Sequence, residues 1–440
     1  MRFRNFHPIT HRCTWHTQKI ARPLRWAIDC FMKNPDIIPH LFRTEFSKIT
    51  TVLCKFLGVA QIEVAEDIAS ETFLTALETW PYKGVPDNPA AWLYAVAKNK
   101  LKNHLSRDQL FTGKITGQIT NNTPTAQPAE IVDLSDQNIT DSQLQMLFAI
   151  CQPVITMEAQ IALALRILCG FGIDEIAVAF LTNKETINKR LYRAKEKLRT
   201  AGTPIEMPSK TETDSRLEAV LTTLYLLFNE GYYSESSNDI LRKDLCLEAM
   251  RLTYMLIENK QTDQPAVNAL FALMCFHSSR FEARKNKKGE LVLYDDQDEN
   301  LWNDELISRG VYFLRKASTG NCLSQYHLEA SIAYWLTKKT DTAEKWLNIL
   351  HLHNQLQISG YSPIAALNRA YAVAKVKGNA AGIIEAERLA LTGNRFYHIL
   401  LGELYSKTAP EKAMDHLKQA LLMAKTETDQ HLIQAKINRL

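Results

Sequence analysis

The sequence predicts an all-α protein built from several helical modules. Glycine and proline are scarce, at 16 and 15 of 440 residues, so few positions interrupt a helix. Apolar residues recur at intervals of three and four along most of the chain, as they do on one face of a helix with 3.6 residues per turn. No ladder of alternating apolar and polar residues indicates a sheet, and a chain of 440 residues is too long for one ordinary core.

Two polar segments divide the chain. Residues 108–140 contain "GKITGQITNNTPTAQPAE" and residues 201–214 read "AGTPIEMPSKTETD", which are compositions typical of linkers. The predicted helical modules are residues 32–107, 141–200 and 215–440. Residues 1–31 form a basic leader with a single acid, Asp29, which we interpret as disordered or as an artefact of the start site, with a transit peptide as the alternative.

Composition excludes several classes of function. The net charge of +4 is too small for a general polycation, so any nucleic-acid contact has to come from local patches. No run approaches the roughly 20 apolar residues that span a bilayer, so we expect no membrane contact. The eight cysteines include no CxxC pair, and no catalytic constellation or phosphate loop is present. We therefore expect a cytoplasmic protein that is not an enzyme, with no catalytic residues, no metal and no cofactor.

The short module ends in a basic amphipathic helix. After an apolar helix at 158–170 and a second one in "GIDEIAVAF", Asn183 stands where an N-cap residue would begin a helix over 184–199. Seven basic residues against two acidic ones mark that helix. The order helix, tight turn, basic helix predicts a helix-turn-helix whose second helix enters the major groove, the alternative being a solvated basic face. The predicted inner stripe is Ile187, Leu191, Ala194 and Leu198. The predicted outer face is Glu185, Thr186, Lys189 and Arg193, with Asn188 and Arg190 on its shoulders.

The first module contains an acidic helix, "VAEDIASETFLTALETW". A carboxylate surface is unsuited to DNA and suits a basic protein partner. The helical wheel predicts an outer face of Glu66, Asp67, Glu71 and Glu78. The predicted inner face is Ile68, Phe73, Leu74 and Leu77.

The next helix, "AAWLYAVAKNKLKNHLSRDQL", interleaves aromatic and basic residues. Bases can stack on rings while phosphates pair with lysine and arginine, so this pattern fits single-stranded or melting DNA. Core packing is the alternative for Trp92 and Tyr94.

These motifs resemble a known family. "AEDIASETFLTALETWPYKGVPDNPAAWLYAVAKNKL" is similar to region two of the extracytoplasmic-function (ECF) sigma factors of bacterial RNA polymerase, and "EAQIALALRILCGFGIDEIAVAFLTNKETINKRLYRAKEKLR" is similar to their region four. "LYLLFNEGYYSE" and "GELVLYDDQDENLWNDELISRG" resemble the subfamily with a C-terminal, tetratricopeptide-like (TPR-like) helical extension. The resemblance implies a region-two helical domain, a region-four helix-turn-helix and an α-helical extension.

The resemblance also implies partners and sites. Core RNA polymerase would bind Asp67, Ser70 and Glu71. The minus-10 promoter element would meet Trp92, Tyr94, Lys98, Asn99, Lys100 and Asn103. The minus-35 element would meet Lys184, Glu185, Thr186, Lys189, Arg190 and Arg193. The extension would contact a regulatory protein or the rest of the chain. The alternative function is a DNA-binding adaptor whose TPR-like domain mediates protein contacts.

Overall fold

The computed structural model describes residues 37–115, 132–180, 182–233, 239–284, 292, 294–319, 323–360, 362–424 and 427–440. Every regular element in these ranges is helical, which confirms the predicted all-α fold. The helices are α1 (Ile37–Leu57), α2 (Ile62–Lys83), α3 (Pro89–Ile115), α4 (Asp136–Ile150), α5 (Met157–Leu163), α6 (Ile173–Ala179), α7 (Lys184–Thr200), α8 (Lys210–Tyr233), α9 (Asp239–Glu258), α10 (Pro265–Ser278), α11 (Asp304–Ala317), α12 (Gln325–Leu336), α13 (Ala343–Ser359), α14 (Pro363–Lys377), α15 (Asn379–Arg388), α16 (Arg395–Tyr405), α17 (Pro410–Leu422) and α18 (Glu427–Ile437).

Helices extend into both segments that the sequence predicts as linkers. Within 108–140, α3 continues to Ile115 and α4 begins at Asp136. Within 201–214, α8 begins at Lys210. The basic leader at 1–31 lies outside the described residues.

Helix α1 belongs to the first predicted module and also packs against the second. It packs against α2 on one side, and against α4 and the π-helical turn Ala164–Leu168 on the other. The turn after this π-helix approaches α1 closely at Gly170, which has φ +71°. A Cβ at this position would stand 3.2 Å from the Arg43 carbonyl oxygen, so both the backbone conformation and the space favour glycine.

One continuous buried core joins the three predicted modules. It runs from Phe46 on α1 to Ala333 on α12. Polar contacts cross the same boundary. The Thr223 hydroxyl donates to Gln160 Oε1 at 3.0 Å, and Arg251 Nη2 donates to the Leu168 carbonyl at 2.8 Å. The predicted modules therefore share an interior, instead of each enclosing its own.

The C-terminal part of the chain is a row of helix hairpins. Helices α13 and α14, α14 and α15, and α16 and α17 pack as sequential neighbours. Three smaller buried clusters, separate from the main core, lie between these helices. The helices of this part are therefore held together mainly by packing between neighbours in sequence.

Candidate functional site

The outer face of α2 carries the residues that sequence reasoning assigned to polymerase. Asp67 and Glu71 are exposed, and Ser70 is half-buried with its hydroxyl donating to the Glu66 carbonyl at 2.8 Å. Leu74 and Leu77 are 55% and 51% exposed, so the prediction that they point inward is wrong. We call Asp67, Glu71, Leu74, Leu77 and Glu78 the α2 outer face. It combines carboxylates with exposed leucines, a mixture suited to a protein surface.

Glu66 does not belong to this face, contrary to the sequence prediction. Its side chain is buried. Each of its two oxygens accepts a hydrogen bond from a cation that comes later in the chain than α4. Arg166 Nε donates to Glu66 Oε1 at 2.8 Å, and Lys195 Nζ donates to Glu66 Oε2. Arg166 comes from the π-helical turn and Lys195 from α7. A buried carboxylate is stable in this position only because it is paired.

The two aromatic residues assigned to the minus-10 element face the interior of the first module. Trp92 is half-buried and packs edge-on against Trp80, with ring centroids 5.3 Å apart. Tyr94 is half-buried, and its hydroxyl donates to Glu45 Oε2 at 2.5 Å. Burial, and then this hydrogen bond, raises the pKa of Tyr94 above its ordinary value. In this conformation both rings serve packing.

The polar residues assigned to the same element are accessible. Asn99 and Asn103 on α3 are exposed, and Lys98 is half-buried. Lys100 Nζ donates to Glu71 Oε2 at 3.2 Å, so a predicted DNA contact is paired with a predicted polymerase contact. The structure thus brings these two sites together on neighbouring helices.

The second helix of the predicted helix-turn-helix, α7, has the cap and the buried stripe that the sequence predicts. The Asn183 side chain caps α7 by accepting the Thr186 N–H at 2.8 Å. The predicted inner stripe is confirmed, since Ile187, Leu191, Ala194 and Leu198 are all buried. The stripe and the cap together fix which side chains of α7 face outward.

The outer face of α7 is basic and open at its N-terminal end. Glu185, Thr186, Lys189 and Arg193 are exposed, and exposed Lys184 pairs with Asp174 at 2.5 Å. The half-buried Arg190 lies over the Phe180 ring at 5.2 Å. Sequence reasoning missed Tyr192, which is 61% exposed beside Arg193. The sequence signal that could have identified Tyr192 is its place directly after Leu191, one position outside the apolar stripe of α7.

Arg43 on α1 connects three parts of the chain. Its guanidinium forms ion pairs with Glu175 on α6 and with Asp244 on α9. It also lies over the Phe171 ring at 4.8 Å. The first predicted module, the predicted helix-turn-helix and the C-terminal part therefore meet at a single side chain.

Comparison with known proteins identifies the first module. Residues 41–110 match Sigma-70 region 2, and residues 216–318 match a family of unknown function, DUF6596. An uncharacterized protein of Rhizobium meliloti (strain 1021), R00370, is 32% identical over 385 residues, which cover 86% of this chain and 90% of that protein. The chain carries a Sigma-70 region 2 and belongs to one family with the Rhizobium meliloti protein. No solved structure matches this chain.

The match to Sigma-70 region 2 implies binding to core RNA polymerase and promoter DNA. The α2 outer face and the polar residues of α3 both lie inside the matched range 41–110. The DUF6596 range begins at Arg216 on α8 and ends just after α11. A helical extension of unknown function therefore follows the sigma region in the same chain.

The described part of this chain has no cluster of potential metal ligands. It contains no group of three or more His, Cys, Asp or Glu side chains placed to hold a metal ion. Burial raises the pKa of Cys151 and of Cys275 to about 12, so both thiols stay protonated. None of its helices is both long and apolar enough to cross a membrane.

Proposed function

We propose that this protein is a sigma factor of the extracytoplasmic-function type, with a region-four helix-turn-helix and a C-terminal extension that regulates it. It works in the cytoplasm, carries out no catalysis of its own, and directs polymerase to promoters with particular minus-35 and minus-10 elements. The observation on which this rests is Sigma-70 region 2 followed, in one chain, by a capped basic helix with an open outer face.

Core RNA polymerase would bind the α2 outer face. Asp67 and Glu71 supply negative charge, and the exposed Leu74 and Leu77 supply apolar area next to it. Apolar groups at the centre and charges at the rim are typical of protein interfaces. Ser70 lies beside them, but its hydroxyl already donates to the Glu66 carbonyl. We therefore expect it to pack against polymerase without donating a hydrogen bond to it.

The minus-10 element would lie along α3. Asn99 and Asn103 offer exposed amides, and Lys98 and Lys100 offer charge for phosphates. Removing a base from the stack costs a few kcal/mol, which a pocket with an aromatic wall helps to offset. For Trp92 or Tyr94 to serve as that wall, its ring has to leave its contact with Trp80 or Glu45.

The minus-35 element would meet the N-terminal half of α7, because this end of a recognition helix contacts base edges. Arg193 and Lys189 are exposed there and suit guanine, while Glu185 suits cytosine. Arg190 is held against Phe180 and suits a phosphate at the edge of the groove.

The described conformation is closed with respect to the promoter. The two elements are separated by about 25 base pairs, or roughly 85 Å at 3.4 Å each. Lys100 and Lys195 are bonded to Glu71 and Glu66, which lie five residues apart on α2. Their Cα atoms are therefore within about 40 Å of each other, even with all side chains extended. The DNA-binding surfaces of α3 and α7 therefore have to move apart before both promoter elements can be bound.

The extension would regulate this opening. Arg43 pairs with the extension through Asp244 and with the helix-turn-helix through Glu175. Arg251 of the extension donates to the Leu168 carbonyl, next to the turn that carries α6. Contacts that exist only in the closed conformation stabilise it. A partner that binds another surface of the extension, with different affinity for the two conformations, can therefore shift the equilibrium between closed and open.

Transcription with purified bacterial core polymerase tests the function. The full chain is expected to start RNA at defined sites, and Asp67→Lys combined with Glu71→Lys is expected to abolish both this RNA and co-elution with core. Glu344→Lys, at an exposed acid on α13, is the matched control. Absence of start-specific RNA on every genomic template would contradict the sigma assignment.

A second candidate is the adaptor, in which the hairpins of the C-terminal part bind proteins and α7 is a simple DNA anchor. The length of the extension favours it. Tight binding to one DNA sequence without polymerase, unchanged by the Asp67 and Glu71 reversals, would support the adaptor over the sigma role.

A further inference from the structure

The net positive charge of the protein comes from the C-terminal row of hairpins. Residues 337–440 contain 14 basic and nine acidic residues, an excess of +5. Residues 1–336 contain 38 basic and 39 acidic residues, so they contribute none of the net charge of +4. A local excess of this kind is typical of a surface that binds a polyanion.

Much of this charge lies at one edge of the row. Helices α12 to α18 alternate in direction, so every second connection reaches the same edge. Asn379 Nδ2 donates to the Leu404 carbonyl at 3.2 Å, and Lys436 Nζ donates to Glu403 Oε2 at 2.8 Å, which places successive connections side by side. We call this the basic edge, and its segments are 337–342, 377–379, 406–409 and 438–440, with the helix ends that flank them.

Four exposed lysines at the basic edge have no carboxylate partner. Lys338, Lys377 and Lys407 form no ion pair within the part of the chain that the structure describes. Lys412, in the first turn of α17, lies over the Tyr405 ring at 5.3 Å and likewise pairs with no acid of that part. These ammonium groups are therefore free to bind an anion from outside the chain.

Most carboxylates at this edge are already engaged. Asp341 accepts hydrogen bonds from Trp346 Nε1 and from Lys375 Nζ. Asp296 reaches the edge from another segment and pairs with Arg439 at 3.3 Å. The exposed acids at this edge that have no recorded ion pair are Glu344 and Glu411. They occupy the first turns of α13 and α17, where the helix dipole favours an acid, and they leave the cations in excess.

The composition of the basic edge suits phosphates better than a protein surface. Its three interhelix turns consist of lysine, threonine, serine, asparagine, aspartate, glycine and alanine, with no large apolar side chain. Lysine ammonium groups, hydroxyls and backbone N–H groups are the usual partners of DNA phosphates. Protein interfaces instead have apolar and aromatic residues at their centre. The turns at the opposite edge have that character, with exposed Ile358, Ile364, Phe396 and Leu422.

The spacing of the basic edge also fits a duplex. Packed helices lie about 10 Å apart, so four successive segments extend over about 30 Å. One turn of duplex DNA is about 34 Å long, so the cations can follow phosphates along one side of the duplex for nearly a full turn.

We propose that the basic edge binds the phosphate backbone of duplex DNA without regard to sequence, through Lys338, Lys377, Lys407 and Lys412. The proposal does not depend on contact with polymerase or on recognition of promoter elements, because every duplex presents the same phosphates. It gives the extension a ligand of its own in addition to its contacts with the predicted helix-turn-helix.

Binding of the full chain to a labelled non-promoter duplex, measured by fluorescence anisotropy over a range of salt concentrations, tests the proposal. The quadruple variant Lys338→Gln, Lys377→Gln, Lys407→Gln, Lys412→Gln removes the four unpaired cations. Each phosphate contact adds about 0.9 to the slope of log affinity against log salt, so the slope is expected to fall by about 3 and the affinity by about tenfold or more. Helices α3 and α7 are unchanged, so the difference from wild type reports the basic edge.

A control variant carries the same change in net charge at exposed positions outside the basic edge: Lys210→Gln, Lys260→Gln, Arg315→Gln, Lys418→Gln. It is expected to keep most of the wild-type slope. Equal losses in the two quadruple variants would show that only total charge matters and would overturn the proposal, as would a wild-type slope in the variant of the basic edge.

Two further arms complete the test. Displacement of the labelled duplex by polyglutamate as effectively as by unlabelled duplex would assign the basic edge to acidic proteins and overturn the DNA assignment. The pairs Lys338→Gln with Lys377→Gln, and Lys407→Gln with Lys412→Gln, carry the test if the quadruple variant does not fold, and each is expected to lower the slope by about half as much. Start-specific transcription is measured separately, so failure of the sigma role and failure of the basic edge are distinguishable.

Discussion

Arg166 Nε and Glu66 Oε1 form a 2.8 Å hydrogen bond between the turn before the helix-turn-helix and the helix that carries the candidate polymerase surface. Lys195 of α7 holds the other oxygen of the same carboxylate. The residue next in sequence to Asp67 is thus bound from two sides by the module that would read DNA. This contact, with the Arg43 ion pairs, holds α1 and α2 against the segment that contains α6 and α7.

The first prediction concerns the stability of this contact. Glu66→Gln keeps the shape of the side chain and leaves Arg166 and Lys195 without a counter-charge. Breaking a buried ion pair on one side costs about 3 kcal/mol or more, so we expect a fall of that size in the free energy of unfolding, measured in urea. Asp67→Asn, at the exposed neighbour, should change it by less than about 0.5 kcal/mol. Equal stability of the two variants would contradict the pairing.

The second prediction concerns opening. Arg43→Ala and Asp244→Asn each remove a contact of the closed state, so both should raise start-specific RNA synthesis several-fold at limiting sigma factor. The double variant should do little more than either single one, because the two residues share one ion pair. Lys260→Ala, at an exposed position, is the control. A fall in transcription with Arg43→Ala would contradict the proposal that Arg43 stabilises the closed conformation.

The third prediction concerns promoter reading. Arg193→Ala should weaken promoter use by about 1 to 3 kcal/mol if the guanidinium binds a guanine, and the loss should vanish on templates altered at that base. Arg199→Ala, at the far end of the same helix, should have a smaller and uniform effect. Transcription from a set of minus-35 variants measures both. A loss that is the same on all templates would assign Arg193 to phosphate.

The fourth prediction concerns pH. Burial raises the pKa of Glu329 on α12 from 4.5 to about 7, against the opposing hydrogen bond from Tyr225. The folded state therefore keeps a proton that the unfolded state has lost, and stability from this group falls as pH rises from about 4.5 to about 7. Between these limits, the free energy of unfolding of Glu329→Gln should rise by about 3 kcal/mol relative to that of the wild type. Urea unfolding at several pH values measures the difference, with exposed Glu344→Gln as the control. A pH-independent difference would refute the raised pKa.

Features set by neighbouring residues could be predicted from the sequence. The buried stripe of α7 follows from spacings of three and four, and the Asn183 cap from one side chain before a helix. The all-α fold follows from the same periodicity along the whole chain. These features depend on contacts within about one helical turn, which the order of residues determines directly.

The burial of Glu66 depends on residues far away in the chain. It lies in helical register with Ile62, Ala69 and Phe73, which are buried, but a carboxylate is normally assigned to the surface. Its partners follow it by 100 and 129 residues. Leu74 and Leu77 show the converse, because apolar residues are normally assigned to the interior although these two are exposed. No local pattern contains either piece of information.

The continuous interior from Phe46 to Ala333 has a practical consequence for dissection of this protein. Cutting the polypeptide near residue 200 would expose to solvent apolar surfaces that are buried in the intact protein, on both fragments. Fragments made to match the three predicted modules should therefore aggregate or melt early, and a phenotype of such a truncation would report misfolding before it reported regulation. Single substitutions at the surface are the sounder way to separate the roles of its parts.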